Sequence, residues 1–313
     1  MKKIIPLLLI AALFLSSCKK DHSASSGPSG KKYPVTFNVT NFAQQKGAFS
    51  ISRQTTTSVR TDDVLMGVGG YLDVLYYYVY DNNNNFIHKI AQDSTMSNLG
   101  TVTDTLPLGT YKIIIAAGKK GLVSANESNL FQANIGYGSI DWQDTFFDSF
   151  AYTVTNASNN QDVIMHRIVT ELELNVTDTI PANASTITMA VYPEFTDYLI
   201  GQLVQSGTED TLKTTITIPS SAKGKAGFTF DKIYGNGNQN TGYDVELTAM
   251  DASNHVIGSA HIANVQSGQS QRTILSGKLF NSTASGSPQS FQVKVDTAWS
   301  STIGQVSFSL RRH

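Results

Sequence analysis

The stretch YLDVLYYYVYDNNNNFIHKI at residues 71–90 is typical of a β-hairpin. Aromatic and β-branched residues lie on both faces of Tyr71 to Tyr80, which predicts a central strand that is covered on both sides. The Asp and Asn residues at 81–85 then break the run, and they favour a turn because they tolerate left-handed backbone and bond their own backbone. Phe86 to Ile90 is the expected returning strand.

The same period of two continues on both sides of this hairpin. It is clear in PVTFNVT at 34–40 and in HRIVTELELNV at 166–176, and YKIIIAA at 111–117 is a further predicted strand that follows a turn at 106–110. Further alternating runs occur at 150–155, 162–165, 187–192, 214–218, 227–230, 243–250, 256–263, 272–280, 291–299 and 305–310. Strands about ten residues apart with turns between them predict an all-β chain built of sandwiches. Pro193 to Val204 is the one fair helix candidate of the second half, and residues 141–148 have room for a helical turn or two.

Composition agrees with a β-rich chain of about two domains. The chain has 313 residues, of which 40% are hydrophobic and only 15% are charged. An average soluble domain has about 25% charged residues, and here Ser, Thr, Asn and Gly replace them. The net charge of −1 and the absence of a basic run argue against nucleic acid as a partner.

The N-terminus has the pattern of an export signal that ends in a lipidation site. Lys2 and Lys3 precede a twelve-residue apolar run, Ile4 to Leu15, which is too short to cross a membrane as a helix. Leu15-Ser16-Ser17-Cys18 follows at once and resembles the lipobox of bacterial lipoproteins. We therefore predict a signal peptide at 1–17 and acylation of Cys18, the single cysteine of the chain, which would anchor the protein in the outer membrane.

The predicted domains follow this anchor in order. Residues 18–33 are polar and rich in Ser and Gly, so they form a lipidated, flexible tether. The remaining chain divides into two β-sandwich domains at 34–163 and 164–313.

Residue patterns that carry chemistry are missing from the sequence. No HExxH pattern, nucleophile elbow or P-loop is present, and the Gly-rich 67–70 precedes a strand rather than a helix. His255 and His261 share a strand face but lie about 20 Å apart, too far to share a metal. The acidic and amide run 81–85 lacks the spacing of a calcium loop. We expect no catalytic residue, metal or cofactor, although sequence alone leaves a spatial pair of carboxylates open.

The aromatic run leaves one alternative function open. Tyr71, Tyr76, Tyr77, Tyr78 and Tyr80 could stack on sugars if they were exposed, which would indicate a surface glycan-binding lipoprotein of an uptake system. These tyrosines belong to a strand-like run that ends in a tight turn, and this pattern instead favours positions in the core of the first sandwich for their rings.

The order of these motifs resembles the FimB/Mfa-type fimbrial subunit lipoproteins of Bacteroidota. The resemblance rests on the lipobox and tether, on LPLGTYKIIIAAG at 106–118 and on MHRIVTELELNV at 165–176 with Arg167 in place. It implies two tandem transthyretin-like β-sandwich domains and a structural or anchoring role in fimbriae or related surface adhesins. The implied partners are outer-membrane lipid through Cys18 and other fimbrial subunits, which join by strand addition.

The resemblance also implies a candidate processing site. Shaft subunits of that family lose an N-terminal strand when a protease cuts after an arginine, and Arg53 and Arg60 are the candidates here. Both lie in the polar stretch that follows the first predicted strand, where an exposed loop arginine is the simpler interpretation. The intact lipobox favours an anchoring subunit.

Overall fold

A computed structural model describes residues 30–42, 72–157, 159–235, 242–280, 291–296 and 304–307. Eighteen strands are assigned there, with one 3₁₀ turn at Ser220–Ala222 and no α-helix among the described residues. No helix in the described ranges is long and apolar enough to cross a membrane. The all-β fold predicted from the sequence is confirmed.

The N-terminal half (residues 32–167) contains nine strands. They are β1 (Lys32–Phe42), β2 (Val74–Tyr80), β3 (Phe86–Asp93), β4 (Thr101–Pro107), β5 (Gly109–Gly118), β6 (Val123–Ala125), β7 (Asn134–Gly136), β8 (Thr145–Val154) and β9 (Asn160–Arg167). One layer of the sandwich contains β4, β1 and β9 in that order, and the facing layer contains β3, β2, β5 and β8 in that order. Apolar side chains from both layers fill the space between them. β1 is antiparallel to β4 and parallel to β9.

The C-terminal half (residues 170–307) contains the other nine strands. They are β10 (Thr170–Val176), β11 (Ala184–Leu199), β12 (Val204–Thr217), β13 (Phe228–Tyr234), β14 (Tyr243–Asp251), β15 (Val256–Val265), β16 (Arg272–Gly277), β17 (Gln292–Asp296) and β18 (Gly304–Ser307). Here the layer formed by β13, β10 and β16, in that order, faces the layer formed by β12, β11, β14 and β15 across a second core. β10 is antiparallel to β13 and parallel to β16.

Both halves therefore have the same seven-strand plan, with the same order and the same strand directions. The sequence shows no repeat that would reveal this. Two additions break the symmetry: β6 and β7 lie between β5 and β8, and β17 and β18 extend the sheet beyond β16.

The two halves stack head to tail. β1 begins at one pole of the N-terminal half, where Lys32 pairs with Pro107. The opposite pole faces the C-terminal half. At that pole β9 ends and β10 begins, and β7 pairs there with the end of β11 at Asp197–Leu199. A third core fills this junction, with Tyr78, Ile114 and Trp142 from one half and Tyr198 and Ile200 from the other.

The motif at 106–118 has a local physical reason. Gly109 has a φ of +151°, and a Cβ there would lie 3.6 Å from the Tyr111 hydroxyl oxygen. That hydroxyl donates a 3.0 Å hydrogen bond to the Pro107 carbonyl, closing the turn between β4 and β5. Glycine and tyrosine two residues apart thus turn the chain from one sheet to the other.

The helix prediction for Pro193 to Val204 is wrong. β11 continues to Leu199 and a turn leads into β12. Pro193 lies where the register between β11 and β12 shifts, at Val191/Glu194, and such a bulge accommodates a proline within a strand. Residues 141–148 likewise contain no helical turn, and β8 begins there at Thr145.

Candidate assembly site

The predicted site residues lie outside the described structure. Cys18, Arg53 and Arg60 all belong to ranges for which no placement is given. What the structure describes is the strand between them, β1, and residues 30–31 that lead into it.

β1 occupies the middle of its sheet. Seven residue pairs join it to β4 and six join it to β9, with a bulge between Val39 and Asn41. Its apolar face is fully inside the sandwich, since Val35 and Phe37 are 0% exposed and Val39 is 4% exposed. The first strand of the chain is thus a core strand and not an added edge.

Phe37 anchors β1 by aromatic contacts. Its ring centroid lies 5.5 Å from that of Tyr77 and 4.8 Å from that of Tyr152, the latter nearly edge to face. Such pairs add about 0.5–1.5 kcal/mol beyond the area that they bury. Loss of β1 would expose these rings and separate β4 from β9.

The other end of the chain lies at a sheet edge. β17 pairs with β16, and β18 pairs with β17 as the outermost described strand. Phe291 and Val293 are each 1% exposed, so the segment leading to the C-terminus contributes to the second core. The terminal run predicted at 305–310 begins inside β18, and residues 308–313 lie outside the described ranges.

The junction between the halves is tied by hydrogen bonds from aromatic side chains. The Trp142 indole donates to the Phe195 carbonyl at 2.7 Å and links the β7–β8 connection to β11. The hydroxyls of Tyr76 and Tyr80 donate to the carbonyls of Leu122 and Glu127 at 2.8 Å and 3.0 Å. One face of β2 therefore holds the segment that extends the sheet of the C-terminal half.

Two arginines mark equivalent strands at this junction. Arg167, at the end of β9, is 3% exposed and makes a two-point contact with Asp144 through Nε to Oδ1 at 2.5 Å and Nη2 to Oδ2 at 3.0 Å. Arg272, at the start of β16, lies 3.4 Å from Glu171 and 3.0 Å from Glu173. The Arg167 noted in the sequence motif is thus a buried ion-pair partner of the junction.

Glu171 is a buried carboxyl group at this junction. It is 1% exposed, and burial raises its pKa from the usual 4.5 to about 7. Arg272 and Arg167 act in the opposite direction, while the neighbouring Asp231 and Glu173 raise the pKa further. The group is surrounded by two carboxylates and two arginines, so it belongs to an ion-pair cluster at the junction.

The aromatic run does not form a platform for sugars. Tyr77, Tyr78 and Tyr80 are 0% exposed, Tyr76 is half-buried, and Tyr71 lies outside the described residues. The prediction that β2 is covered on both faces is confirmed, because Tyr77 packs in the first core and Tyr78 and Tyr80 pack at the junction. Phe131 and Tyr192, at 52% and 48% exposure, are the exposed large aromatics in the described ranges.

The histidines make ordinary surface contacts. His255 lies 3.4 Å from Asp251 in a turn, and His261 lies 3.6 Å from Asp244 and 3.8 Å from Glu246 on β14. His88 bonds Asp104 at 2.8 Å across the open side between β3 and β4. No group of three potential metal ligands occurs in the part of the chain that the structure describes.

Two seven-strand sandwiches of the same plan place the protein in the all-β class. By sequence, the chain belongs to the family of unknown function DUF6562, whose model matches residues 128–309. No curated protein matches it in sequence.

Solved structures share the fold at low identity. A candidate polysaccharide-binding protein from Bacteroides thetaiotaomicron has a TM-score of 0.56 and 10% identity, covering 87% of this chain and 98% of that one. A candidate adhesin from the same species gives 0.52 and 9%, covering 86% and 98%. A candidate adhesin from Bacteroides ovatus gives 0.50 and 11%, covering 88% and 96%. These likenesses extend over both halves and establish a common fold.

Proposed function

We propose that this protein is a structural subunit of a surface fimbria or adhesin, and that it anchors the assembly to the outer membrane through lipid on Cys18. The observation that carries the proposal is the position of β1: the N-terminal strand lies at the centre of a sheet and fills the core with Val35, Phe37 and Val39. A strand that leads directly from the tether and that completes a sandwich suits assembly by strand addition. The fold shared with candidate adhesins supports this role.

The lipobox and the order of motifs support the narrower FimB/Mfa-type assignment. An intact β1 is what an anchoring subunit keeps, whereas cleavage after Arg53 or Arg60 would detach β1 from the rest of the chain. Detachment would leave a row of unpaired amides on β4 and β9 for a partner's strand. Mass spectrometry of the N-terminal peptide of the protein from its native membrane separates the two states: a peptide that starts at acylated Cys18 indicates an anchor, and a peptide that starts at Gln54 or Thr61 indicates a processed subunit.

The anchor is tested by Cys18→Ala with a fatty-acid analogue as metabolic label. We expect the variant to lose the label and to leave the membrane fraction, because acylation requires the thiol. Ser17→Ala, which keeps a small residue before the cysteine, is the matched control and should remain labelled. Labelling of the Cys18→Ala protein would refute the anchor.

Partner binding is tested with a truncation that removes residues 304–313. If the terminal segment is donated to another subunit, the truncated protein should fail to capture co-encoded fimbrial subunits while its melting temperature changes little. If β18 serves only the sheet beside β17, the melting temperature should fall. Normal capture with an unchanged melt would exclude a donor role for this segment.

The competing function is a glycan-binding lipoprotein of an uptake system. The similarity to a candidate polysaccharide-binding protein supports it, while the burial of Tyr77, Tyr78 and Tyr80 removes its expected platform. Saturable polysaccharide binding without capture of any fimbrial subunit would favour this alternative. We propose no catalytic activity under either function.

A further inference from the structure

Among the described strands, none pairs with the outer edge of β9 along most of its length. β8 pairs with β9 only at Phe146–Arg167 and Phe147–His166, and within the described ranges no strand lies beside residues 160–165 on that side. The Thr36 amide donates to the Asn159 carbonyl at 2.8 Å, so Asn159, Gln161 and Val163 face β1. The backbone groups of Asn160, Asp162 and Ile164 therefore face away from β1, towards the open side.

The equivalent edge in the C-terminal half is covered. β16 matches β9 in the shared plan, since each is parallel to the first strand of its half. Along β16 runs β17, antiparallel, with five residue pairs from Arg272–Asp296 to Ser276–Gln292. Among the described strands, the edge of β16 is thus covered by an antiparallel strand, whereas the equivalent edge of β9 is not covered at residues 160–165.

The bare edge also lacks the usual protection against pairing. Edge strands β3, β12 and β13 each contain a lysine and β4 ends at Pro107, whereas the edge strand β15 has neither. Asn160 to Met165 contains neither lysine nor proline, and Ile164 is 49% exposed. Lysine and proline at edges discourage the addition of another strand, so their absence leaves β9 open to one.

We propose that the outer edge of β9, residues 160–165, receives an antiparallel strand from a partner subunit. This inference specifies where the strand addition proposed above takes place and rests on that proposal. β17 defines the occupant's chemistry: it places Val293 in the core and a lysine, Lys294, in the next position. A partner strand on β9 would likewise alternate apolar and polar residues, with a basic side chain that complements the exposed carboxylate of Asp162.

The test uses a labelled peptide of residues 290–297, SFQVKVDT, as the probe strand, added to the full chain. We expect saturable binding, at least tenfold weaker binding for Ile164→Pro, and wild-type binding for Ile164→Thr. Proline removes an amide that faces the open side, so the ladder to β1 and the melting temperature should be preserved. Val163→Pro, which removes an amide facing β1, should instead destabilise the fold and shows that the two positions differ.

Two results would overturn the inference: absence of peptide binding by the wild-type chain, or equal binding by Ile164→Pro. The second result would indicate that the peptide pairs elsewhere, for example by displacing β17 from β16. Capture of co-encoded subunits separates this site from the wider proposal. Capture by both wild type and Ile164→Pro would refute the β9 site and retain fimbrial assembly, whereas no capture by the wild type would refute the assembly itself.

Discussion

The N-terminal and C-terminal halves share one strand plan and differ where chain has been added to it. Between β5 and β8 the N-terminal half contains β6, β7 and Trp142, of which β7 and Trp142 bond β11 of the C-terminal half directly and β6 pairs with β7. The equivalent connection from β14 to β15 is a short turn, in which Asp251 accepts hydrogen bonds from the backbone amides of Ser253 and His255. The addition occurs at the pole that meets the other half and is missing from the pole that does not. The insertion between β5 and β8 therefore builds the contact between the two halves.

The ion pairs offer the sharpest contrast between the halves. We expect Arg167→Met to lower the free energy of unfolding by about 3–5 kcal/mol, because it leaves the carboxylate of Asp144 buried without its cation. Arg272→Met should cost less, roughly 1–3 kcal/mol, because Glu171 can take up a proton when its cation is removed. Chemical denaturation at pH 7 measures both.

Equal losses for the two variants would contradict this difference between the halves. Lys120→Met, at an exposed position of the N-terminal half, is the control for loss of a charge, and its effect should stay within about 0.5 kcal/mol.

The second prediction concerns the pH dependence that Glu171 gives to the junction. The pKa of Glu171 is about 7 in the folded protein, whereas its ordinary value is 4.5. Between these two pH values the folded state therefore binds a proton at Glu171 that the unfolded state has released. Stability contributed by this group is therefore present below about pH 4.5 and is lost as the pH rises towards 7. Glu171→Gln should remove this loss, which amounts to about 2 kcal/mol between pH 5 and pH 8.

Denaturation of wild type and Glu171→Gln at pH 5 and pH 8 decides the matter. Glu246→Gln, at an exposed position of β14 outside this cluster, is the matched control. An identical pH slope for wild type and Glu171→Gln would show that Glu171 is already ionised at pH 5 in the folded protein.

The smallest effect is expected at the open side of the N-terminal sandwich. Burial alone would raise the pKa of Asp104, but hydrogen bonds from His88, the Thr105 amide and Tyr77 hold the pKa below its usual value. The stability that Asp104 contributes is therefore present above about pH 4 and is lost as the pH falls further. Asp104→Asn should cost about 1 kcal/mol at pH 7 and nothing near pH 2.

His88→Gln keeps a donor for Asp104 and serves as the comparison for this position. A loss for Asp104→Asn that is as large at pH 2 as at pH 7 would mean that packing, and not charge, closes the side between β3 and β4.

Local patterns predicted most strands but not the junction. The hairpin at 71–90 and the run at 166–176 were recognisable because their alternation is long and ends in turn residues. β6 and β7 have three residues each, too few for a period, and β7 pairs with β11 about 60 residues later in the chain. Glu171 looked like an ordinary polar position of an alternating strand, because its burial is produced by the stacking of the two halves.

The direction of β1 has a mechanical consequence. Lys32 lies at the pole farthest from the C-terminal half, so tension applied between Lys32 and that half acts along the axis of β1. The ladder bonds to antiparallel β4 lie roughly perpendicular to that axis and those to parallel β9 are slanted, and both sets share the load at the same time instead of opening one after another. A chain pulled at Lys32 would thus resist extraction of β1 by shear.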